Sequence, residues 1–160
     1  MQGGASTQFF MLAHNFLRTK AAYTDTGTWA SKAAKEAKLY GEVEVLASSK
    51  EANYNYIPDG YTIPSDADYF HITSNNTIFG TQVHEFPKSD IPVICDMSSD
   101  IFSRPINVSD FDLIYAGAQK NMVPAGVTLV IINKELYKKR ADRPLQSMVN
   151  YELMASKESM

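Results

Sequence analysis

A single cysteine, Cys95, in 160 residues leaves the chain no internal disulfide and fits a reducing compartment. That sets aside the small, disulfide-stapled secreted domains. No stretch of about 18 apolar residues occurs, so the sequence offers no membrane-spanning helix. No charged segment followed by an apolar run stands at the start in the manner of a secretory signal. A soluble cytoplasmic protein is expected, with no membrane partner. Basic residues are not in excess either: 15 Lys and Arg stand against 18 Asp and Glu, for a net charge of -3. With no basic stripe, nucleic acid is not an expected partner. The three histidines, His14, His71 and His84, lack metal-ligand spacing, so no metal is expected and they are given core or surface roles.

What is present suffices for one domain, which at this length buries roughly two thirds of the surface of its unfolded chain. Phe9, Phe10, Leu12, Ala13, Phe16 and Leu17 recur at three and four, which predicts a helix after Gly3-Gly4-Ala5-Ser6-Thr7 with a Ser or Thr cap. A second helix is expected over Thr28–Tyr40, rich in Ala and Lys and stopped by Gly41. Val43–Leu46, Asp68–Thr73, Pro92–Asp96, Leu113–Tyr115 and Val127–Ile132 are expected strands, with a loop marked by Pro58, Gly60 and Pro64 after the first. Strands this apolar are covered on both faces, which predicts an α/β fold: a mostly parallel sheet flanked by helices.

Tyr115-Ala116-Gly117-Ala118-Gln119-Lys120-Asn121 sets one lysine among small residues at a strand end. A nucleophilic lysine has to be desolvated enough to be a free amine part of the time, and rigidly held. Ligands collect at the carboxyl ends of strands in such sheets, and Thr77, Asp96 and Lys120 all fall at or just past such ends. A lysine bound to pyridoxal phosphate also needs a phosphate cradle, an acid at the pyridine nitrogen, a stacking ring and a group near the phenolic oxygen. Gly3-Gly4-Ala5-Ser6 before a helix offers amide groups and the positive end of a helix dipole. Asp96 offers the acid and Trp29, the sole tryptophan, the ring; Thr77 can bond the phenolic oxygen. Each also has a plainer reading: a glycine turn, a strand-end aspartate, a core aromatic, a turn threonine. Their convergence is what favours a site. Cys95 is expected to be a buried strand residue, and Arg104 either binds phosphate or buttresses a dimer.

Gln2-Gly3-Gly4-Ala5-Ser6, Gly27-Thr28-Trp29-Ala30, Ser74 to Gln82, Cys95 to Pro105 and Ala116 to Asn121 together resemble the phosphoserine aminotransferase family, in that family's order and over essentially the whole chain. The resemblance implies a fold-type I pyridoxal-phosphate enzyme, normally a homodimer, that exchanges an amino group between glutamate and 3-phosphohydroxypyruvate, giving O-phospho-L-serine and 2-oxoglutarate, in L-serine biosynthesis. It also implies, for many bacteria, a step of pyridoxine biosynthesis. By position, Lys120 would be the Schiff-base lysine and proton carrier, and Asp96 the partner of the pyridine nitrogen. Ala5 and Ser6 would bind phosphate with Gln119 assisting, Trp29 would stack on the ring, and Thr77 would bind near the phenolic oxygen.

Against the family pattern, Met122 and Val123 stand where Leu or Ile and Gly are commoner. The family's upstream substrate His and Arg, a C-terminal substrate Arg and a cross-subunit Asn-Thr pair have no counterpart in the 160 residues. The glycine-rich turn has no strand before it, and Ser156 to Met160 bring no closing element. The chain is therefore expected to be one partial domain, residues 1–160, from the centre of the large domain, and inactive alone. Two alternatives stand beside this reading: another fold-type I enzyme such as a desulfurase or a related class V aminotransferase, against which Gln119-Lys120-Asn121 and Trp29 argue, and a non-catalytic doubly wound domain binding a phosphorylated ligand at Gly3–Thr7.

Overall fold

The computed structural model describes residues 1–158; Ser159 and Met160 lie outside the described residues. In chain order the elements are α1 (Ser6–Phe16), β1 (Lys20–Asp25), α2 (Thr28–Ala37), β2 (Glu42–Ser48), β3 (Phe70–Thr73), β4 (Asn75–Asn76), β5 (Thr81–Gln82), β6 (Val93–Asp96), β7 (Leu113–Gly117), β8 (Thr128–Ile132) and α3 (Tyr151–Ser156). Six strands form one sheet in the order β2-β1-β3-β6-β7-β8, while β4 and β5 pair as a separate antiparallel hairpin. All neighbours in the six-stranded sheet run parallel except β7 and β8. The fold is the expected α/β class with a mostly parallel, helix-flanked sheet.

Alternation along the strands sorts the side chains onto two faces. Ala21, Tyr23, Tyr69, Ile94, Leu113 and Tyr115 pack with the helices. Ala22, Phe70, Ile72, Val93, Cys95, Ile114 and Ala116 form the opposite cluster, closed by loop residues such as Tyr61, Ile63, Phe86 and Ile106. Helix α2 turns Ala30, Ala33, Ala34 and Ala37 inward. This spacing makes a smooth face, and small side chains let the helix lie close to the sheet. Asp68, 6% exposed, satisfies the turn into β1 by accepting from the backbone N–H of Arg18 at 2.7 Å and of Thr19 at 2.6 Å while Arg18 Nη2 pairs with it at 2.7 Å.

Several local expectations change. Strand β1 was not evident in the sequence, because Ala21 and Ala22 carry little strand preference; its place between β2 and β3 decides its conformation. No Ser or Thr side chain caps α1: Ala5 holds the N-cap position, and Ser6 is the first helical residue. Helix α2 ends at Ala37, and Gly41 serves close packing, since a Cβ there would stand 3.0 Å from Leu17 Cγ and from the Thr19 carbonyl. Tyr151–Ser156 forms a short helix that stacks Tyr151 on Phe16, with centroids 5.7 Å apart. Arg104 donates through its guanidinium to the carbonyls of Val83 and His84 and lies over Phe86, fixing that loop. Among the described residues no helix is long and apolar enough to cross a membrane.

His71 is fully buried, stacked on Tyr23 at 4.7 Å between centroids, with Nε2 3.0 Å from the Tyr115 hydroxyl. Burial lowers its imidazole from the ordinary 6.5 to about 3. The folded value lies below the unfolded one, so this contribution to stability is intact above pH 6.5 and is lost as pH falls toward 3. Replacing His71 with Phe keeps a ring against Tyr23 and removes the titration. Urea unfolding at a series of pH values is expected to show a shallower loss of stability below pH 6.5, by up to about 1.4 kcal/mol per pH unit. An unchanged slope would mean that the folded chain already holds the imidazolium.

Candidate active site

Parallel strands end on the same side of a sheet, and the carboxyl ends of β3, β6 and β7 deliver the site's polar groups together. Asp96 is the last residue of β6 and pairs in register with Thr73 of β3 and Tyr115 of β7. It is 5% exposed. Its Oδ1 accepts the Ser98 hydroxyl at 2.5 Å and the Ser98 N–H at 2.9 Å. Burial pushes the carboxyl above its usual range, while the Ser98 bonds, Lys120 and Tyr115 pull it back down.

Lys120 sits in the turn after β7. Its Nζ donates to Thr77 Oγ1 at 2.7 Å and lies 5.5 Å from the centroid of the Trp29 ring. Thr77 begins the turn of the β4–β5 hairpin, which closes with the Gly80 N–H on the Asn76 carbonyl at 2.8 Å. The hairpin is bolted to the start of α2: Asn76 Nδ2 donates to the Thr26 carbonyl at 2.7 Å, and the Asn76 side chain fills the space where a Cβ on Gly27 would stand, 2.6 Å away. Trp29, in the first turn of α2, is thereby held beside Lys120. Thr26, Thr73 and Asn76 border the same crevice as Trp29, and each keeps a buried side-chain oxygen without a partner among the described residues. Buried oxygens of this kind call for donors.

The glycine-rich turn reaches the site from the other side. Gly3 adopts φ 95°, its N–H donates to the Gly126 carbonyl at 3.0 Å, and its carbonyl accepts Thr128 Oγ1 at 3.0 Å. The turn is thus presented by the segment leading into β8, and Gln2 bridges Val127. Thr7 and Gln8 turn their N–H groups to the carbonyls of Gly4 and Ala5, leaving Ala5 and Ser6 amides at the head of an 11-residue helix. Gly117 joins this turn to the lysine turn: a Cβ there would lie 3.0 Å from Ala5 Cβ and 2.9 Å from Gln119 Oε1.

The structure therefore brings together Lys120, Thr77, Trp29 and Asp96, and joins Ala5, Ser6 and Gln119 to them through Gly117. Lys120 itself is exposed in the turn after β7. Cys95 is fully buried with its thiol raised by burial, an inert core residue. A cleft of about 450 Å³ between residues 57–65 and 85–91 contains none of the seven candidates. Ser98 was missed. Its signal was Asp96-Met97-Ser98, an acidic side chain followed two residues on by a hydroxyl, a pattern that also makes ordinary turns.

Residues 1–150 match the model of the aminotransferase class-V family. The chain belongs to the class-V aminotransferases. Within this family it is 60% identical to the phosphoserine aminotransferase of Flavobacterium johnsoniae and 59% identical to that of Parabacteroides distasonis, in each case over all of this chain and 45% of the relative. The class-V chain thus spans about 45% of the length of the curated relatives it matches. Its structure superposes with a TM-score of 0.94 on the phosphoserine aminotransferase of Bacillus circulans subsp. alkalophilus, at 47% identity over 99% of this chain and 45% of that one. Pyridoxal-phosphate-bound phosphoserine aminotransferase from Trichomonas vaginalis gives 0.91 at 33% identity, over 100% of this chain and 49% of that one.

The contact at Gly117 makes a direct test of the geometry. Gly117→Ala would force the Ala5 turn and Gln119 away from β7, and overpacking of this kind typically costs about 1–3 kcal/mol. Denaturant unfolding is expected to show that loss; stability unchanged within error would mean that the two turns are not in contact.

Proposed function

We propose that the chain forms the cofactor-holding part of a pyridoxal-phosphate-dependent phosphoserine aminotransferase, a homodimer that transfers an amino group between glutamate and 3-phosphohydroxypyruvate in L-serine biosynthesis. The observation that carries the reading is the meeting of one amine, one buried carboxylate and one aromatic ring at three adjacent strand and helix ends. A phosphorylated pyridine aldehyde asks for that donor set. The very similar proteins named above are phosphoserine aminotransferases, which supports the substrate class.

In this reading the amides of Ala5 and Ser6, the Ser6 hydroxyl and Gln119 hold the phosphate, with the helix dipole of α1 favouring its charge. Trp29 stacks on the ring, and Thr77 bonds the group beside the phenolic oxygen. Asp96 meets the ring nitrogen, whose positive charge is the counterpart that a buried carboxylate lacks. When bound, pyridoxal phosphate supplies an aldehyde carbon that takes up an amine and a ring that accepts an electron pair. Lys120 Nζ, steered by Thr77, is the group that binds the aldehyde carbon and moves a proton near it.

Incubation with pyridoxal phosphate followed by borohydride is expected to leave a stable label on Lys120, located by peptide mass mapping and abolished in Lys120→Ala. Equal labelling of that variant would sink the assignment. Asp96→Asn separates stability from cofactor binding. A carboxyl raised in the fold loses its share of stability as pH climbs from the ordinary carboxylate range through the folded value, so the Asn variant should melt higher than the unmodified chain at pH 7 without cofactor. The same variant should bind pyridoxal phosphate at least about tenfold more weakly, the scale of one lost bond to a charged group. A cofactor affinity unchanged by this replacement would remove Asp96 from the site.

A further inference from the structure

Ser98, 6% exposed, lies in the turn after β6 with its hydroxyl between two parts of the site. It accepts the Gly117 N–H at 3.0 Å and donates to Asp96 Oδ1 at 2.5 Å. A serine hydroxyl has one proton and a backbone amide can only donate, so the Gly117 contact fixes the serine oxygen as acceptor and aims its proton at Asp96. The Ser98 N–H meets the same Oδ1 at 2.9 Å. An oxygen facing two donors serves as an acceptor, so any proton the carboxyl takes up is directed to the other oxygen. Oδ2 is the oxygen left over. Beyond Gly117 the contact continues to Ala5 and Gln119, so one hydroxyl connects the acid to the lysine turn and to the glycine-rich turn.

We propose that Ser98 is a positioning residue of the cofactor site: its hydroxyl, oriented by the Gly117 amide, holds Asp96 Oδ1 as an acceptor, turns Oδ2 toward the ring nitrogen, and keeps the end of β6 in register with the lysine turn. This rests on the pyridoxal-phosphate reading above. The other groups facing Asp96 do not duplicate the role. Tyr115 of β7 also lowers the carboxyl, but its hydroxyl is shared with His71 Nε2 of β3 at 3.0 Å, and Thr73 of β3 is uncharged. Asp100, in the turn after β6, is bonded to Ser74 and to Gln82. Helix α1 brings Gln8 and Phe9 to this face. Among the described residues Lys120 is the cation that acts on Asp96, and both it and the Ser98 bond lower the carboxyl.

The test follows the Asp96 side-chain carboxyl by carbon-13 NMR across pH in the cofactor-free chain, together with the equilibrium affinity for pyridoxal phosphate. In Ser98→Ala the titration midpoint is expected to rise by about one pH unit and the affinity to fall about tenfold, the scale of one hydrogen bond to a charged group. Ser98→Thr, which keeps the hydroxyl, should restore both. A turn residue with only a structural role would lower the melting temperature and leave midpoint and affinity where they were; that result overturns the proposal. If Ser98→Ala does not fold, Ser98→Cys replaces the hydroxyl with a weak donor and should shift both readouts in the same direction, and no shift overturns the proposal equally. The titration needs no cofactor. Absence of label on Lys120 in the unmodified chain would therefore defeat the cofactor reading alone, with the hold of Ser98 on Asp96 still decided by whether the midpoint moves.

Discussion

A carboxylate at the end of the central strand of a sheet is the constraint around which this chain is arranged. Asp96 is covered by β3 on one side and β7 on the other, and burial there disfavours its charge. Apolar side chains cannot offset that cost, so the neighbourhood is built from donors. Ser98 meets Oδ1 twice, and Lys120 acts from the next strand end. The parallel direction of β3, β6 and β7 makes this possible, because it puts three strand ends and the turns after them on one side. Were β6 reversed, Asp96 would sit at the far edge, about three residues and 10 Å away at the rise of a strand. The one antiparallel strand has the complementary use. Because β8 starts where the others end, the backbone just before it, with Thr128, lies where it can grip Gly3 and hold the glycine-rich turn against the same edge.

What was legible in the sequence follows from how sharply each position constrains residue type. Lys120, Asp96, Trp29 and Thr77 each supply a group that few other residues supply, and four such groups at expected strand and helix ends were visible without coordinates. The apolar strands β3, β6, β7 and β8 were visible because burial on both faces leaves continuous hydrophobic runs. Strand β1 was not, since Ala21 and Ala22 are buried by position and small because α2 presses its own alanine face toward them. Propensity says little about a strand whose conformation is imposed by its neighbours. The cap of α1 was misjudged for a related reason. Ser6 looked like a local cap, whereas the structure seats Ala5 there, leaving the serine at the head of the helix with its hydroxyl uncommitted to capping.

Behind Asp96 lies a layer that no motif announces. Tyr23, Tyr69, His71, Tyr115 and Tyr151 are all buried on the helix-covered face, and their polar tips find one another or a neighbour: Tyr23 with Tyr69 at 2.8 Å, His71 with Tyr115 at 3.0 Å, Tyr151 with Gln8 at 2.5 Å. The tyrosine tips are thereby satisfied, while His71 keeps its Nδ1 buried without a side-chain partner among the described residues. The dielectric around Asp96 is low in consequence, and a low dielectric acts in both directions: an unpaired charge becomes more costly and each hydrogen bond to it more valuable. On that ground a serine hydroxyl bonded to Asp96 at the turn after β6 is expected to carry weight that it would lack on a solvated surface. In the reading proposed above, the carboxylate is already held by one oxygen before a cation meets it, so the fold would have completed the acid's reorganisation and the free energy of pairing would go to holding the ligand rather than to orienting the acid.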